Sequence, residues 1–273
     1  VIVLAATPIG NLGDASRRLI ETLSNASVVC AEDTRTAIHL MRALGIENRP
    51  RLIALHEHNE RERAADVVEL ARDADVVVLT DAGMPAISDP GFPLVAAAAA
   101  ADVTVTAIPG PSAVLTALAV SGLPTDRFAF EGFPSRRSAE RRRAFAALAG
   151  EQRTLVFFES PHRLGDTLAD MAGAFGADRP ATVCRELTKL HEEVRRGTLG
   201  SLAEWAADGV RGEICVVVGG ASAARDDVDL DEGVRLVLER VAAGSRMKEA
   251  SAAVADATGL SRRDLYEGAL AAR

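Results

Sequence analysis

The chain has 273 residues, 48% of them hydrophobic, with a formal net charge of −8. That length accommodates two compact lobes with proper cores, and the acidic balance excludes indiscriminate nucleic-acid binding by the whole surface. The three cysteines, Cys30, Cys184 and Cys215, lie far apart, each in or beside an apolar run, as buried thiols of a reducing compartment do. A disulfide frame or a metal site is therefore not expected, and a cytoplasmic location is. The start at Val1 carries no signal-like pattern. The alanine-rich run 95–101 is too short and too weakly apolar to span a bilayer, so no membrane association is expected.

Short apolar runs at 1–6, 28–31, 52–55, 76–79 and 103–108 read as strands. Amphipathic stretches at 14–24, 36–44, 60–72, 92–101 and 111–121 lie between and after them and read as helices, which implies an α/β fold with a largely parallel sheet. Ser121-Gly122-Leu123-Pro124 breaks this alternation and marks the end of a first lobe, 1–122. A second α/β lobe, 125–220, has strand candidates at 128–131, 154–158, 181–184, 193–196 and 214–218. Its helical patterns are fewer, at 139–149, 164–175 and 202–207, so its sheet is expected to be mixed. After Gly219-Gly220 the polar segment 223–229 reads as a linker. Three short helices follow, near 231–242, 245–255 and 261–271, with Ser245 and Ser261 placed as N-caps and Gly259 as a stop. This region, 230–273, is either a helix-turn-helix-like appendage or a dimerisation or packing tail.

Four strand ends carry turn chemistry together with polar groups. They are Thr7-Pro8-Ile9-Gly10-Asn11-Leu12-Gly13, Glu32-Asp33-Thr34-Arg35, Pro109-Gly110-Pro111-Ser112-Ala113, and the long loop Thr80-Asp81-Ala82-Gly83-Met84-Pro85-Ala86-Ile87-Ser88-Asp89-Pro90-Gly91. Glycine and proline there let main-chain groups approach a ligand closely, and strand-end loops of α/β sheets are where ligands sit. Each alone is a tight turn; together they point to one pocket. No G-x-G-x-x-G follows the first strand, no P-loop pattern occurs, and His56-Glu57-His58 lacks zincin spacing, so metal and phosphoryl chemistry are poorly supported. Residues 135–143 hold five arginines and one glutamate in a chain with two lysines, Lys189 and Lys248. Such a cluster on an acidic body suits local phosphate contact, or it is a solvated helix face.

These loops, together with Glu131-Gly132-Phe133-Pro134, Phe157-Phe158-Glu159-Ser160-Pro161-His162-Arg163, Arg185-Glu186-Leu187-Thr188-Lys189 with Glu192, and Gly212-Glu213, occur in an order that resembles the tetrapyrrole methylase superfamily. The resemblance covers residues 1 to about 219. Porphyrin and corrin members usually carry Gly-Asp-Pro where this chain has Thr80-Asp81-Ala82. That departure turns the likeness towards the branch that methylates the ribose 2′-oxygen of a cytidine in small-subunit (16S) ribosomal RNA. The resemblance implies a two-lobed fold, a homodimer, and S-adenosylmethionine held between the lobes. The cofactor is then expected against Pro8, Asp81, Gly83, Pro85, Ile87, Ser112 and Ala113, with Phe158, Glu186, Leu187, Gly212 and Glu213 as the far wall. Ile87, Leu187 and Phe158 have the apolar character to sandwich an adenine.

Asp33, Glu192 and Lys189 stand where a general base could act, Lys189 only with a depressed pKa. The same segments could instead form ion pairs closing the lobe interface. Arg136, Arg137, Arg141 and Arg163 are the expected phosphate contacts, and the RNA is expected within the assembled small ribosomal subunit. A tetrapyrrole C-methyltransferase and a non-catalytic RNA-binding assembly factor remain the alternatives.

Overall fold

A computed structural model describes residues 1–222 and 229–272. The expected linker, 223–229, falls almost wholly outside the described residues. Residues 1–149 and 153–219 form one compact unit containing two five-stranded sheets, and residues 150–152 with 220 onwards form a second unit.

The first sheet contains β1 (Ile2–Ala5), β2 (Val28–Ala31), β3 (Arg51–Ala54), β4 (Val76–Leu79) and β5 (Val105–Ile108), in the order β3-β2-β4-β1-β5. All its pairings are parallel. Continuous apolar runs such as Val76–Leu79 suit a sheet covered on both faces. On one face Ile2, Leu4, Cys30 and Val78 meet α3 (Glu60–Asp73) and α4 (Phe92–Ala100). On the other, Ala5, Val29, Val77 and Leu79 meet α1 (Arg17–Asn25) and α2 (Thr34–Ala43). The stretch expected as one helix from 14 divides into a short 3-10 turn, Leu12–Asp14, and α1, because the Ser16 side chain caps a new start by accepting from Leu19 N at 3.0 Å. The helix α5 (Ala113–Ser121) follows β5 and ends at Gly122 in the left-handed conformation.

The second sheet is mixed. It contains β6 (Phe128–Gly132), β7 (Thr154–Glu159), β8 (Pro180–Arg185), β9 (Glu193–Thr198) and β10 (Ile214–Val218), in the order β6-β7-β10-β8-β9. Only β6 and β7 pair in parallel. Alternation along the strands divides its faces. Leu155, Phe157, Val183 and Val216 pack under α6 (Ser138–Ala147), α7 (Leu164–Phe175) and α8 (Leu199–Ala206). Val156, Cys184, Cys215 and Val217 pack against Val114, Ala117 and Leu118 of α5. Arg196 and Thr182 donate to the Ser121 carbonyl at 3.1 and 3.0 Å, fixing the end of α5 to this sheet. The helix that follows β5 therefore joins the two sheets into one body.

In the second unit, α9 (Leu230–Ala242), α10 (Met247–Thr258) and α11 (Arg262–Ala271) share a small core of Val237, Ala250, Val254, Leu265 and Ala269. Ser261 caps α11 and Gly259 ends α10, but α10 starts after Arg246 rather than Ser245, with no side-chain cap. Among the described residues, no helix is long and apolar enough to cross a membrane.

Candidate functional site

Because the strands of the first sheet are parallel, their carboxyl ends open on one edge, and loops 6–13, 80–91 and 109–112 meet there. Thr7 and Gly83 exchange main-chain hydrogen bonds of 2.9 and 3.2 Å. The 80–91 loop is folded on itself, with Ala86 N donating to Pro90 O at 3.1 Å and Gly91 N to the Glu60 carboxylate at 2.8 Å. Ala86 and Ser88 are held at φ 69° and 60°. For residues with side chains, this costs on the order of 1–3 kcal/mol each, and such strain persists only where the surroundings enforce it.

The opposite wall comes from the second sheet. Beyond β8, Glu186 and Thr188 also adopt positive φ, 51° and 68°. The Glu186 carboxylate accepts from Glu213 N at 2.9 Å and from Lys189 Nζ at 3.0 Å. Gly212 is required beside it, since its φ is 94° and a Cβ there would lie 2.4 Å from Glu186 Cγ. The same turn rests on Gly10, where a Cβ would lie 2.4 Å from Lys189 Cγ. Loops from both sheets are thus in direct contact, and they enclose a cavity of about 350 Å³, a usual size for a small-molecule site.

Gly83, Ile87, Ser112, Ala113, Phe158, Leu187, Gly212 and Glu213, all expected around the cofactor, line this cavity. Pro8, Asp81, Pro85 and Glu186 are each one residue removed from a lining neighbour, respectively Ile9, Ala82, Met84 and Leu187. The sequence reading did not single out Asp89, Phe133, Glu159, Cys184 or Cys215, which also line it. Asp89, Phe133 and Glu159 lay within quoted motifs. The two cysteines needed the β8–β10 register, which pairs Cys215 with Cys184 and is not written in either strand alone. Burial pushes both thiols up, Cys184 to about 11. Phe133 stands 60% exposed, its ring tilted against Phe158 at 5.5 Å between centroids.

Three carboxylates reach the cavity wall, in different states. Glu159 accepts from Ser160 N at 2.7 Å, Thr167 Oγ1 at 2.5 Å and Arg163 Nε at 2.9 Å. Glu213 pairs with Lys189 Nζ at 3.0 Å. Asp89 has no hydrogen-bond or ion-pair partner among the described residues. Burial pushes its carboxyl up to about 7, and the charges of Glu32 and Asp81 add to the effect. Glu32 is itself raised, chiefly by burial, although its carboxylate accepts from Asp81 N at 3.4 Å.

None of the three expected bases lines the cavity. Asp33 caps α2 and pairs with the Arg35 guanidinium at 2.6 Å, and the hydrogen bonds from Arg35 hold its carboxyl down to about 2. Burial works to lower the Lys189 pKa, but the bonds to Glu186 and Glu213 prevail and raise it, the reverse of what a basic lysine requires. Glu192 accepts from Thr188 N at 2.6 Å and so closes the strained turn. Lys189 thus takes an ion-pairing role in the wall and Glu192 holds the neighbouring turn, while Asp33 is engaged with Arg35 at the start of α2.

The expected phosphate contacts also separate. Arg136 and Arg137 are exposed, and Arg137 pairs with Glu140 at 2.8 Å. Arg141 is a correction: it is buried, and its guanidinium bonds Asp170 at 2.6 and 2.8 Å, linking α6 to α7. Helical periodicity turns 141 inward although its neighbours 142 and 143 face solvent. Arg163 is largely covered and holds Glu159 while donating to Pro134 O at 3.0 Å, which pins the Phe133 turn.

Residues 1–203 match the family model of Tetrapyrrole (Corrin/Porphyrin) Methylases, and residues 227–273 match that of the RsmI C-terminal HTH domain. The Ribosomal RNA small subunit methyltransferase I of Mycobacterium tuberculosis is 50% identical, over 100% of this chain and 95% of its own. The protein of the same name from Pseudomonas aeruginosa is 42% identical, over 98% and 96%. Among solved structures, uroporphyrin-III-C-methyltransferase from Thermus thermophilus aligns with a TM-score of 0.56 at 21% identity, over 81% of this chain and 94% of its own. Another crystal structure of the Thermus thermophilus enzyme, complexed with S-adenyl homocysteine, aligns with a TM-score of 0.53 at 21% identity, over 80% and 96%.

Proposed function

Because the chain belongs to the tetrapyrrole methylases and, among them, to the ribosomal RNA small subunit methyltransferase I family, we propose that it transfers a methyl group from S-adenosylmethionine to small-subunit (16S) ribosomal RNA. The acceptor is the ribose 2′-oxygen of a cytidine. The observation that carries this reading is the end-to-end match to small subunit methyltransferases. The likeness to uroporphyrin-III-C-methyltransferase, at 21% identity, speaks to the fold alone. A tetrapyrrole acceptor therefore has less support.

The cavity's donor set fits the cofactor. Ile87, Leu187 and Phe158 offer apolar contact for an adenine, and Ser112 and the main chain at Gly83 offer hydrogen bonds. Thr80 Oγ1 and Thr188 Oγ1 are buried without partners but lie outside the residues that line the cavity, so they are not counted among its donors. Bound in the cavity, S-adenosylmethionine supplies a methyl group on a sulfonium, an electrophile that needs an aligned nucleophile. Alignment by rigid walls accounts for much of the acceleration, with effective molarities up to roughly 10⁵–10⁸ M in oriented systems. The braced turns at Ala86–Ser88 and Glu186–Thr188 supply such walls.

Arg136 and Arg137 serve as phosphate contacts, which position the RNA while the pocket selects the nucleotide. The acceptor nucleotide must leave its stack to reach a donor held in the cavity. A protein of net charge −8 with one arginine patch gains most from the folded particle, where phosphates are presented in fixed places. A homodimer and a cytoplasmic location accord with the family resemblance. The test is transfer from labelled S-adenosylmethionine to unmodified small subunits, followed by mass spectrometry of the digested nucleosides. A methyl increment on the ribose of cytidine is expected. A methylated base, or transfer only to tetrapyrroles, would refute the reading.

A further inference from the structure

We propose that the Asp89 carboxylate accepts the proton released by the acceptor hydroxyl during methyl transfer. The inference rests on the methyltransferase function above and identifies a base at that site. The three carboxylates on the cavity wall differ in what already holds them: Glu159 is saturated by Arg163, Thr167 and Ser160 N, and Glu213 is paired with Lys189. Only Asp89 of these three has both oxygens uncommitted, and it faces the cavity from a loop fixed on each side. Before it, Ala86 and Ser88 are locked at positive φ; after it, Gly91 N is held by Glu60. Ser88 Oγ lies 3.6 Å from where a Cβ of Gly132 would stand, so the Asp89 loop and the Phe133 turn are in contact beside the cavity that Asp89 and Phe133 both line. A nucleotide that enters beside the exposed Phe133 ring would bring its ribose into the cavity that Asp89 also lines.

The step balances without a further reactant. A lone pair of the ribose oxygen forms the bond to the methyl carbon as the carbon–sulfur bond breaks and its electrons return to sulfur. The O–H proton passes to a carboxylate oxygen of Asp89 and from there to solvent. The groups facing Asp89 set its basicity: Glu32 and Asp81 repel its charge, His56 partly offsets Glu32, Arg35 lies near Asp81, and the Glu60 carboxylate is engaged at Gly91 N. Burial with these like charges makes Asp89 a far stronger base than an ordinary aspartate and leaves a substantial fraction ionised at neutral pH, the condition under which general-base catalysis is most effective.

The test compares wild type with Asp89→Asn and Asp89→Glu for kcat and KM on small subunits and for S-adenosylhomocysteine affinity by calorimetry. In parallel, the Asp89 carboxyl carbon of the unliganded protein is titrated by NMR, assigned by its loss in Asp89→Asn. Expected are a fall in kcat of about 10²–10⁴ in Asp89→Asn, partial recovery in Asp89→Glu, and cofactor-product affinity within twofold of wild type. Wild-type kcat/KM should rise with pH through a midpoint near that of the carboxyl, about 7, and Asp89→Asn should lack that limb. A kcat within threefold of wild type overturns the proposal. A loss of S-adenosylhomocysteine affinity matching the loss of rate would overturn it too, since Asp89 would then hold the cofactor. So would titration at the ordinary aspartate value. A wild type that binds S-adenosylhomocysteine and methylates no small subunit would instead bring down the function above, and the base assignment with it.

Discussion

Replacing Arg141 with leucine separates two roles that sequence alone gave to the arginine cluster. The Arg141 and Asp170 side chains are 6% and 15% exposed and meet at 2.6 Å. Arg141 also donates to the Ser135 carbonyl at 3.4 Å. Removing the guanidinium leaves the Asp170 carboxylate covered and short of its main donor, and breaking a buried pair in this way costs about 3–5 kcal/mol. Replacing both partners with apolar residues removes the stranded charge, so Arg141→Leu with Asp170→Leu should recover much of the loss. Urea unfolding can be followed through Trp205, the single tryptophan, which packs against the same core as Phe145 and Met171. We expect Arg141→Leu to lower the unfolding free energy by about 3 kcal/mol or more, the double variant to lie closer to wild type, and affinity of the folded variant for small subunits to stay unchanged. Unchanged stability with weakened subunit binding would refute the reasoning and return Arg141 to phosphate contact.

Other consequences follow from the same geometry. Arg136→Ala with Arg137→Ala should weaken binding to small subunits, more so at low salt, and leave S-adenosylhomocysteine affinity intact in calorimetry. Gly212→Ala should lower that affinity at least tenfold, because the new Cβ collides with Glu186 and displaces Glu213; wild-type affinity would show that the turn yields freely. Asp89 is a carboxyl whose folded pKa, about 7, exceeds its unfolded value. Its contribution to stability is therefore fully present below the unfolded pKa and lost as pH rises through 7. Asp89→Asn should then be more stable than wild type at pH 8, with the difference shrinking towards pH 4 in parallel thermal melts. For Asp33, held down to about 2 by Arg35, the sign reverses: its contribution is present above the unfolded pKa and fades only as pH falls through 2. Asp33→Asn should narrow the stability difference between pH 6 and pH 2, measured by acid titration of circular dichroism.

Period and punctuation in the sequence were sufficient to locate the strands of the described residues, most of them short apolar runs such as Val28–Ala31 and Val76–Leu79, with the polar β9 (Glu193–Thr198) as an exception to that pattern. The strand-end loops were equally readable, since ligand-facing turns advertise themselves through residues that accept unusual backbone angles. What stayed hidden depends on contacts between distant segments. Arg141 looks like its neighbours until α7 covers it, and Lys189 looks free until Glu186 and Glu213 close on it. Asp89 differs from Asp81 by no local signal; only the fold decides which of them is drawn out of water towards two other carboxylates. A helix cap at Ser245 failed for a smaller reason, the chain entering α10 one residue later.

The floor of the cavity has a chemical consequence of its own. Cys184 and Cys215 sit side by side in the cavity proposed to hold the methyl donor, and a thiolate there would be a better nucleophile than any ribose hydroxyl. Burial suppresses ionisation of both thiols. With the donor held there as proposed, the pocket would present soft, close-packing sulfur without the anion that would consume it, and so would spare the enzyme from alkylating itself between substrates.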